Sequence, residues 1–323
     1  MSAGRADILA AAERLGQGGL VAFPTETVYG LGADTLSEEA VARVFEAKGR
    51  PKANPLIVHV SSEAMAGRVV AAWSAEAQKL AKAFWPGPLT IVLPRSERVP
   101  SIVTAGADTV AVRCPDHEVA FTLIESFGGP LVGPSANRSG GVSPTRAEHV
   151  RGVWPENEVM VLDGGPCRAG IESTVISLVG DPVVLRPGVV GVDTLEVALG
   201  ADIAIDHGDG SRGSPGRVGP HYRPTAPVYL VDDLADVDTL GEPCVVLSPP
   251  GTPVTVQPPN AVIQMPAAAA DYAAELYAAL READAFGPAS IAVCRPPETG
   301  GDSTDAAIWL AIRERLGRAA EEG

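Results

Sequence analysis

Cysteine, lysine and histidine are thinly spread along this chain of 323 residues, and the spacing of each excludes a chemistry. The four cysteines, Cys114, Cys167, Cys244 and Cys294, form no CxxC pair. Neither a zinc knuckle nor a dithiol redox motif is therefore written here, and the thiols read as small buried hydrophobes. The five histidines stand far apart, which argues against a metal cage of imidazoles. No GxxxxGK(S/T) occurs, because Lys48-Gly49 runs in the reverse order, and Gly30-Leu31-Gly32 lacks the third glycine of a dinucleotide fingerprint. GxSxG and HExxH are also missing. No run approaches the ~18 apolar residues of a membrane span, and nothing before Gly16 forms the apolar core of a leader, so a cytoplasmic location is expected. Lysine stops at Lys82, which leaves arginine to carry most of the positive charge.

Basic residues are in the minority: the formal net charge is −15, which disfavours a broad nucleic-acid surface. Residues 1–205 hold 17 Lys+Arg against 23 Asp+Glu, a net of −6, and residues 206–323 hold 8 against 17, a net of −9. An anionic ligand must then be drawn by a local basic pocket against the overall field. Hydrophobic content of 46% and charged content of 20% are ordinary for a globular protein, and the length suffices for two domains.

The chain is organised around Leu20 to Val60. Leu20-Val21-Ala22-Phe23 predicts a buried strand, so the Pro24-Thr25-Glu26-Thr27 segment emerges at its end, where open α/β sheets bind ligands. A helix follows, with Ser37 as N-cap, Glu38 and Glu39 in its first turn, Val41, Val44 and Phe45 inward, and Gly49 as its stop. Lys48, Arg50 and Lys52 then place three cations within five residues, in a loop held by Pro51 and Pro55. Prolines on such a loop reduce the entropy lost on ordering and suit a preorganised anion site.

Elsewhere, helices are expected over 3–18, 75–84 and 116–127, and strands over 89–93, 109–113 and 131–133. Residues 173–178 and 183–185 predict a hairpin across Gly180-Asp181. Pro134 to Gly141 (PSANRSG and its flanks) is a polar loop at a strand end. Arg50, Arg113, Arg186, Ser135, Asn137 and Ser173 thus all fall at strand ends of one sheet. From Asp206 to Pro227 the composition turns Gly- and Pro-rich, as in a linker or lid, although His221-Tyr222-Arg223 is an aromatic and basic group that a spacer does not require. Residues 228–323 alternate strands with helices, including an Ala-rich helix over 267–286 and a closing helix over 305–319, which indicates a small parallel sheet. The expected division is a catalytic domain over 1–205, a linker or lid over 206–227 and a C-terminal domain over 228–323.

What these residues allow is a basic, hydroxyl-rich pocket with no activated nucleophile, suited to phosphate or nucleotidyl chemistry by positioning and charge neutralisation. FPTETVYGLGAD, KGRPKANPLIVHV, WPGPLTIVL, PSANRSG and ESTVI, in this order and spacing, resemble the YrdC-like family of L-threonylcarbamoyladenylate synthases. SPG followed by HYRPTAPV resembles its longer branch. The resemblance implies an α/β fold: a YrdC-like twisted mixed sheet with flanking helices, plus a smaller Rossmann-like parallel domain. It implies a reaction of L-threonine, bicarbonate and ATP, with Mg²⁺, to threonylcarbamoyl-AMP and pyrophosphate, the product passing to a separate tRNA-modifying transferase complex. By the same resemblance Thr27, His59, Arg113 and Ser173 would hold threonine. Lys48, Arg50, Asn54, Thr109, Ser135, Asn137, Ser143, Arg186 and Tyr222 would surround ATP, with Lys48 and Arg50 acting on the triphosphate. No protein-held metal site is expected. The linker departs from the family's pattern, because Arg217-Val218-Gly219-Pro220 intervenes between SPG and His221. An RNA-binding or ribosome-assembly role for a YrdC-type module is the alternative, and the acidic balance of both halves counts against it.

Overall fold

A computed structural model describes residues 3–206, 221–232, 237, 240, 242–249, 260–298 and 301–320. Helix α1 (Arg5–Gly16) buries Ile8, Ala11, Ala12 and Leu15 and leads into β1 (Leu20–Phe23). Strand β2 (Gly30–Asp34) turns back antiparallel to β1, pairing Ala22 with Leu31. Helix α2 (Glu38–Lys48) begins where Ser37 Oγ accepts from the Ala40 amide at 3.2 Å and ends at Gly49. Next come β3 (Ile57–His59), α3 (Glu63–Ala66), α4 (Ala75–Phe84), β4 (Leu89–Pro94) and β5 (Thr109–Arg113). They are followed by α5 (Glu118–Phe127), β6 (Leu131–Val132), α6 (Ala147–Arg151) and β7 (Val159–Val161). The hairpin expected across Gly180-Asp181 is present as antiparallel β8 (Thr174–Ser177) and β9 (Val183–Arg186). Helix α7 (Val192–Leu199) and β10 (Ala204–Ile205) complete this part.

These ten strands form one mixed sheet in the order β10-β9-β8-β4-β5-β3-β6-β2-β1-β7. Parallel pairing of β3 with β5 sets His59 opposite Arg113, and that of β4 with β8 sets Leu89 opposite Thr174. Registers bring the polar ends of β3, β5 and β8 together, so segments more than a hundred residues apart in sequence share one edge. Apolar side chains from α1, α2, α4 and α5 cover the sheet in one large core.

The second sheet contains β11 (Val228–Val231), β12 (Cys244–Ser248), β13 (Ala261–Gln264) and, after α8 (Ala269–Ala285), β14 (Ser290–Cys294). Its order is β11-β14-β12-β13 with parallel pairing throughout, as the alternation of strands and helices predicts. Helix α9 (Ser303–Ala320) closes it. This unit does not stand apart. Val28, Val142 and Ile171 of the first part join Tyr222, Tyr277, Leu276 and Trp309 in one apolar cluster, so α8 packs directly behind the PTETV segment. Gly170 lies at that contact with φ +69°, and a Cβ there would collide with the α8 backbone at Ala273 and Ala274.

Candidate active site

The PTET segment is wound by its own hydroxyls. Thr25 Oγ1 accepts from the amides of Thr27 and Val28, both at 3.2 Å, and lies 2.9 Å from Thr27 Oγ1. The turn fixes the Thr27 hydroxyl, which accepts from Arg113 Nη1 at 2.8 Å. Arg113 Nη2 lies 2.7 Å from Glu26 Oε2, although off the line of a hydrogen bond, and the two side chains are 4% and 2% exposed. Such a pair is costly to break because either partner alone is a buried uncompensated charge.

His59, at the end of β3, meets Phe23 edge-on with ring centroids 5.5 Å apart. Burial, and then the neighbouring Arg113 charge, lower its pKa to about 3, so its ring is neutral at physiological pH. Its Nδ1 is buried without a hydrogen-bond partner. Gly133 permits this packing: a Cβ there would fall 2.7 Å from His59 Nδ1 and 2.9 Å from the Phe23 ring.

The basic loop after α2 divides its three cations. Lys52 is exposed and stands outside the pocket, whereas Lys48 is 3% exposed and Arg50 is half-buried. Lys48 Nζ donates to the carbonyls of Ser135 at 2.6 Å and Asn137 at 2.5 Å, which ties α2 to the PSANRSG loop. Burial, then Arg50 and Arg138, hold the Lys48 ammonium well below its ordinary pKa. Arg50 donates to its own loop, Nε to the Asn54 carbonyl at 3.1 Å and Nη2 to the Pro55 carbonyl at 3.0 Å. Burial brings its pKa down to about 10, which leaves it charged at neutral pH.

Asn137 folds the PSANRSG loop on itself, donating from Nδ2 to the carbonyls of Arg138 and Gly141, both at 2.7 Å. Its Oδ1 remains buried and without a partner. On the opposite wall Arg186 donates through Nε and Nη2 to the Ser173 carbonyl at 3.1 and 3.0 Å, and Ser173 Oγ lies 2.7 Å from Thr90 Oγ1. Ser143 Oγ donates to Glu172 Oε1 at 2.7 Å. Where the chain is described again at His221, it pairs with this loop: the Arg223 amide donates to the Gly140 carbonyl at 2.9 Å. Tyr222 holds a left-handed backbone, φ +64°, unusual for a bulky side chain, and its ring is buried in the wall. Residues 207–220 of the expected linker lie outside the described residues.

One pocket, about 720 Å³ of empty space counting its open mouth, gathers Thr27, His59, Arg113, Ser173, Lys48, Arg50, Ser135, Asn137, Ser143, Arg186 and Tyr222. Four of its lining side chains are cations, Lys48, Arg50, Arg113 and Arg186, against one lining carboxylate, Glu172. In a chain of net charge −15 this is the local basic pocket that an anionic ligand requires. Two expected residues do not line it. Asn54 stands behind Arg50, with its amide 3.5 Å from His221 Nε2, and His221 does line the pocket. Thr109 begins the strand that Arg113 ends and pairs with Pro94, so four residues of extended chain, about 13 Å, separate it from that end.

Sequence reasoning put Glu26 at the ligand edge without its Arg113 partner, and missed Glu172, Tyr277 and Arg315 as site-associated residues. The Glu172 carboxylate receives Ser143, Tyr277 Oη at 2.8 Å and Arg315 Nε at 3.1 Å. Burial raises its pKa, but Arg315, Arg186 and the two hydroxyl donors outweigh that and leave it below the ordinary carboxylate value. A signal for Arg315 existed. On α9 it falls seven residues after Ile308 and three after Ile312, within the apolar stripe that ends at Leu316 and Ala319.

A family model described as "Telomere recombination" (Sua5_yciO_yrdC) matches residues 13–188, and one described as "Threonylcarbamoyl-AMP synthase, C-terminal domain" matches 190–321. A Pyrococcus abyssi protein named threonylcarbamoyl-AMP synthase is 49% identical over 226 residues, which is 68% of this chain and 66% of that protein. A Bacillus subtilis protein of the same name is 44% identical over 231 residues, 70% of this chain and 66% of its own length. These alignments thus span just under two thirds of the relatives they match. The crystal structure of P. abyssi Sua5 complexed with L-threonine superimposes with a TM-score of 0.86 at 39% identity, covering 97% of this chain and 94% of that one.

Proposed function

Because the chain belongs to the Sua5–YciO–YrdC family, in the long form that carries a threonylcarbamoyl-AMP synthase C-terminal domain, we propose that it is an L-threonylcarbamoyladenylate synthase. It joins L-threonine, bicarbonate and ATP into threonylcarbamoyl-AMP and pyrophosphate. The observation that carries this reading is the pocket in which Lys48, Arg50, Arg113 and Arg186 converge while Arg315 neutralises the one lining carboxylate from behind. Such a site fits a triphosphate. The names of the relatives, and the L-threonine complexed with P. abyssi Sua5, support the same assignment.

In this reading Thr27, His59, Arg113 and Ser173 hold threonine at the sheet edge. Lys48, Arg50, Ser135, Asn137, Ser143, Arg186 and Tyr222 surround ATP, with Asn54 supporting Arg50 and His221. The ammonium group of threonine gives up a proton, and the resulting amine condenses with bicarbonate to a carbamate, releasing water. A carbamate oxygen then attacks the α-phosphorus, the α–β bridging bond breaks, and pyrophosphate leaves. Lys48 and Arg50 offset the charge that grows on the leaving oxygens, and no covalent enzyme intermediate is required. Among the described residues no group of three or more His, Cys, Asp or Glu side chains is gathered to hold an ion. Mg²⁺ enters with the nucleotide, as part of the substrate MgATP.

The product serves a separate transferase complex that builds N6-threonylcarbamoyladenosine in tRNA, which agrees with an acidic chain that does not itself grip RNA strongly. Among the described residues no helix is long and apolar enough to cross a membrane. Pyrophosphate release from MgATP tests the proposal. Release that requires both L-threonine and bicarbonate, exceeds that with L-serine, and is lost in Arg50→Ala is expected. ATP turnover indifferent to threonine would overturn it and bring forward the RNA-binding alternative.

A further inference from the structure

The C-terminal unit lines none of the pocket with the side chains of α8 or α9, yet two of those side chains reach its wall from behind. Arg315, 1% exposed, donates from Nε to Glu172 Oε2 at 3.1 Å and from Nη2 to the Pro187 carbonyl at 2.9 Å. Glu172 and Pro187 are the chain neighbours of Ser173 and Arg186, so one guanidinium holds the Glu172 carboxylate and the Pro187 backbone beside those pocket residues. Tyr277 donates from Oη to the same Glu172 oxygen at 2.8 Å and stacks on Tyr222, with centroids 5.4 Å apart and planes 20° apart. The Arg315 guanidinium lies 5.8 Å from the centroid of the same Tyr222 ring. The other Glu172 oxygen orients Ser143.

We propose that Arg315 and Tyr277 are positioning residues for the nucleotide side of the pocket. Through the Glu172 carboxylate and the Tyr222 ring they set Ser143, Arg186 and Tyr222, so docking of the C-terminal unit is itself a requirement for nucleotide binding. The physical grounds are twofold. A charge-assisted fork fixes orientation better than a point charge does. The left-handed Tyr222 backbone persists only while its surroundings over-determine it, and the ring contacts from Tyr277 and Arg315 supply that constraint. Of the threonine side only Ser173 adjoins Glu172, and its hydroxyl lies 2.7 Å from Thr90 Oγ1; Thr27, His59 and Arg113 are held at the first sheet, where Arg113 is tied to Thr27 and Glu26 rather than to Glu172.

This inference rests on the proposed function, and the test separates the two. Full-length protein is titrated calorimetrically with an α,β-methylene ATP analogue in Mg²⁺ and, separately, with L-threonine, and melting temperatures are recorded for each variant. Loss of a buried charge-assisted contact predicts nucleotide binding weakened about tenfold in Arg315→Met, with a smaller loss in Arg315→Lys, which keeps the charge without the fork. Tyr277→Phe keeps the ring stacked on Tyr222 and removes only the hydroxyl, so it remains informative if Arg315→Met does not fold. It is expected to weaken nucleotide binding about threefold. Threonine affinity stays within about twofold in all three. Unchanged nucleotide affinity in both Arg315→Lys and Tyr277→Phe overturns the inference while leaving the proposed function standing. Equal loss of both ligands together with a lowered melting temperature also overturns it, since that is the mark of a merely structural role. A wild-type chain that binds neither ligand overturns the proposed function, and the inference with it.

Discussion

His59 gives the structure its clearest pH signature. Its folded pKa of about 3 lies below the ordinary histidine value of 6.5, so the folded chain prefers the neutral ring while the unfolded chain takes up a proton below about pH 6.5. The stability this contributes is therefore fully present above pH 6.5 and is lost as pH falls toward 3. At pH 4.5 about two of the 3.5 units have been traversed, and at ~1.36 kcal/mol per unit the loss from this ring is about 2 to 3 kcal/mol. The ring is 2% exposed, so solvent screening does not discount the figure. His117 and His149 are also lowered by burial, and they add their own acid-dependent terms to the wild type. His59→Gln isolates the one of interest. Urea denaturation at pH 7.5 and pH 4.5 is expected to show the wild type losing about 2 to 3 kcal/mol more than His59→Gln between the two. The imidazole proton resonances of His59 are expected not to titrate between pH 8 and 5. A His59 midpoint near 6.5, or equal losses in the two proteins, would refute the argument that burial beside Arg113 holds this ring neutral.

Other outcomes follow from the same geometry. Gly133→Ala places a methyl group against His59 and Phe23, and overpacking of about 1–3 kcal/mol is expected, together with a raised KM for threonine and a smaller change for ATP. A KM for threonine that stays at the wild-type value would show that His59 does not face that substrate. Gly170→Ala combines a left-handed backbone with a clash into α8. It is expected to loosen the C-terminal unit, seen as faster proteolysis between the two sheets, and to weaken the nucleotide analogue as the Arg315 variants do. Resistance equal to the wild type would mean that α8 shifts without undocking.

Local chemistry alone was enough for much of this molecule. Ser37 and Gly49 bound α2 because a hydroxyl satisfies free helix amides and glycine ends the turn, and both effects act within four residues. The hairpin of β8 and β9 and the parallel C-terminal sheet followed from the spacing of apolar runs and turn residues. PTET, the basic loop, PSANRSG and ESTVI were legible as strand-end polar segments because an apolar strand must release its polar continuation at a sheet edge. Strand β2 was not legible: its GLGAD sequence has two glycines in five residues and little strand propensity, and it is held extended by partners on both sides.

Tertiary structure decided which of these pieces meet. Among three cations in one loop, it buried Lys48 against two carbonyls and left Lys52 in water, because the carbonyls that receive the ammonium come from a loop nearly ninety residues away. It left Thr109 outside the pocket, since a five-residue strand carries only one of its ends to the ligand edge. It also brought Arg315 to Glu172 across 143 residues. A sequence records that an arginine interrupts an apolar stripe. Its neighbour Glu314 supplies one carboxylate from the same helix, and only the packing of α9 against the first part of the chain brings the second, Glu172, that makes burying the charge at the pocket wall tolerable.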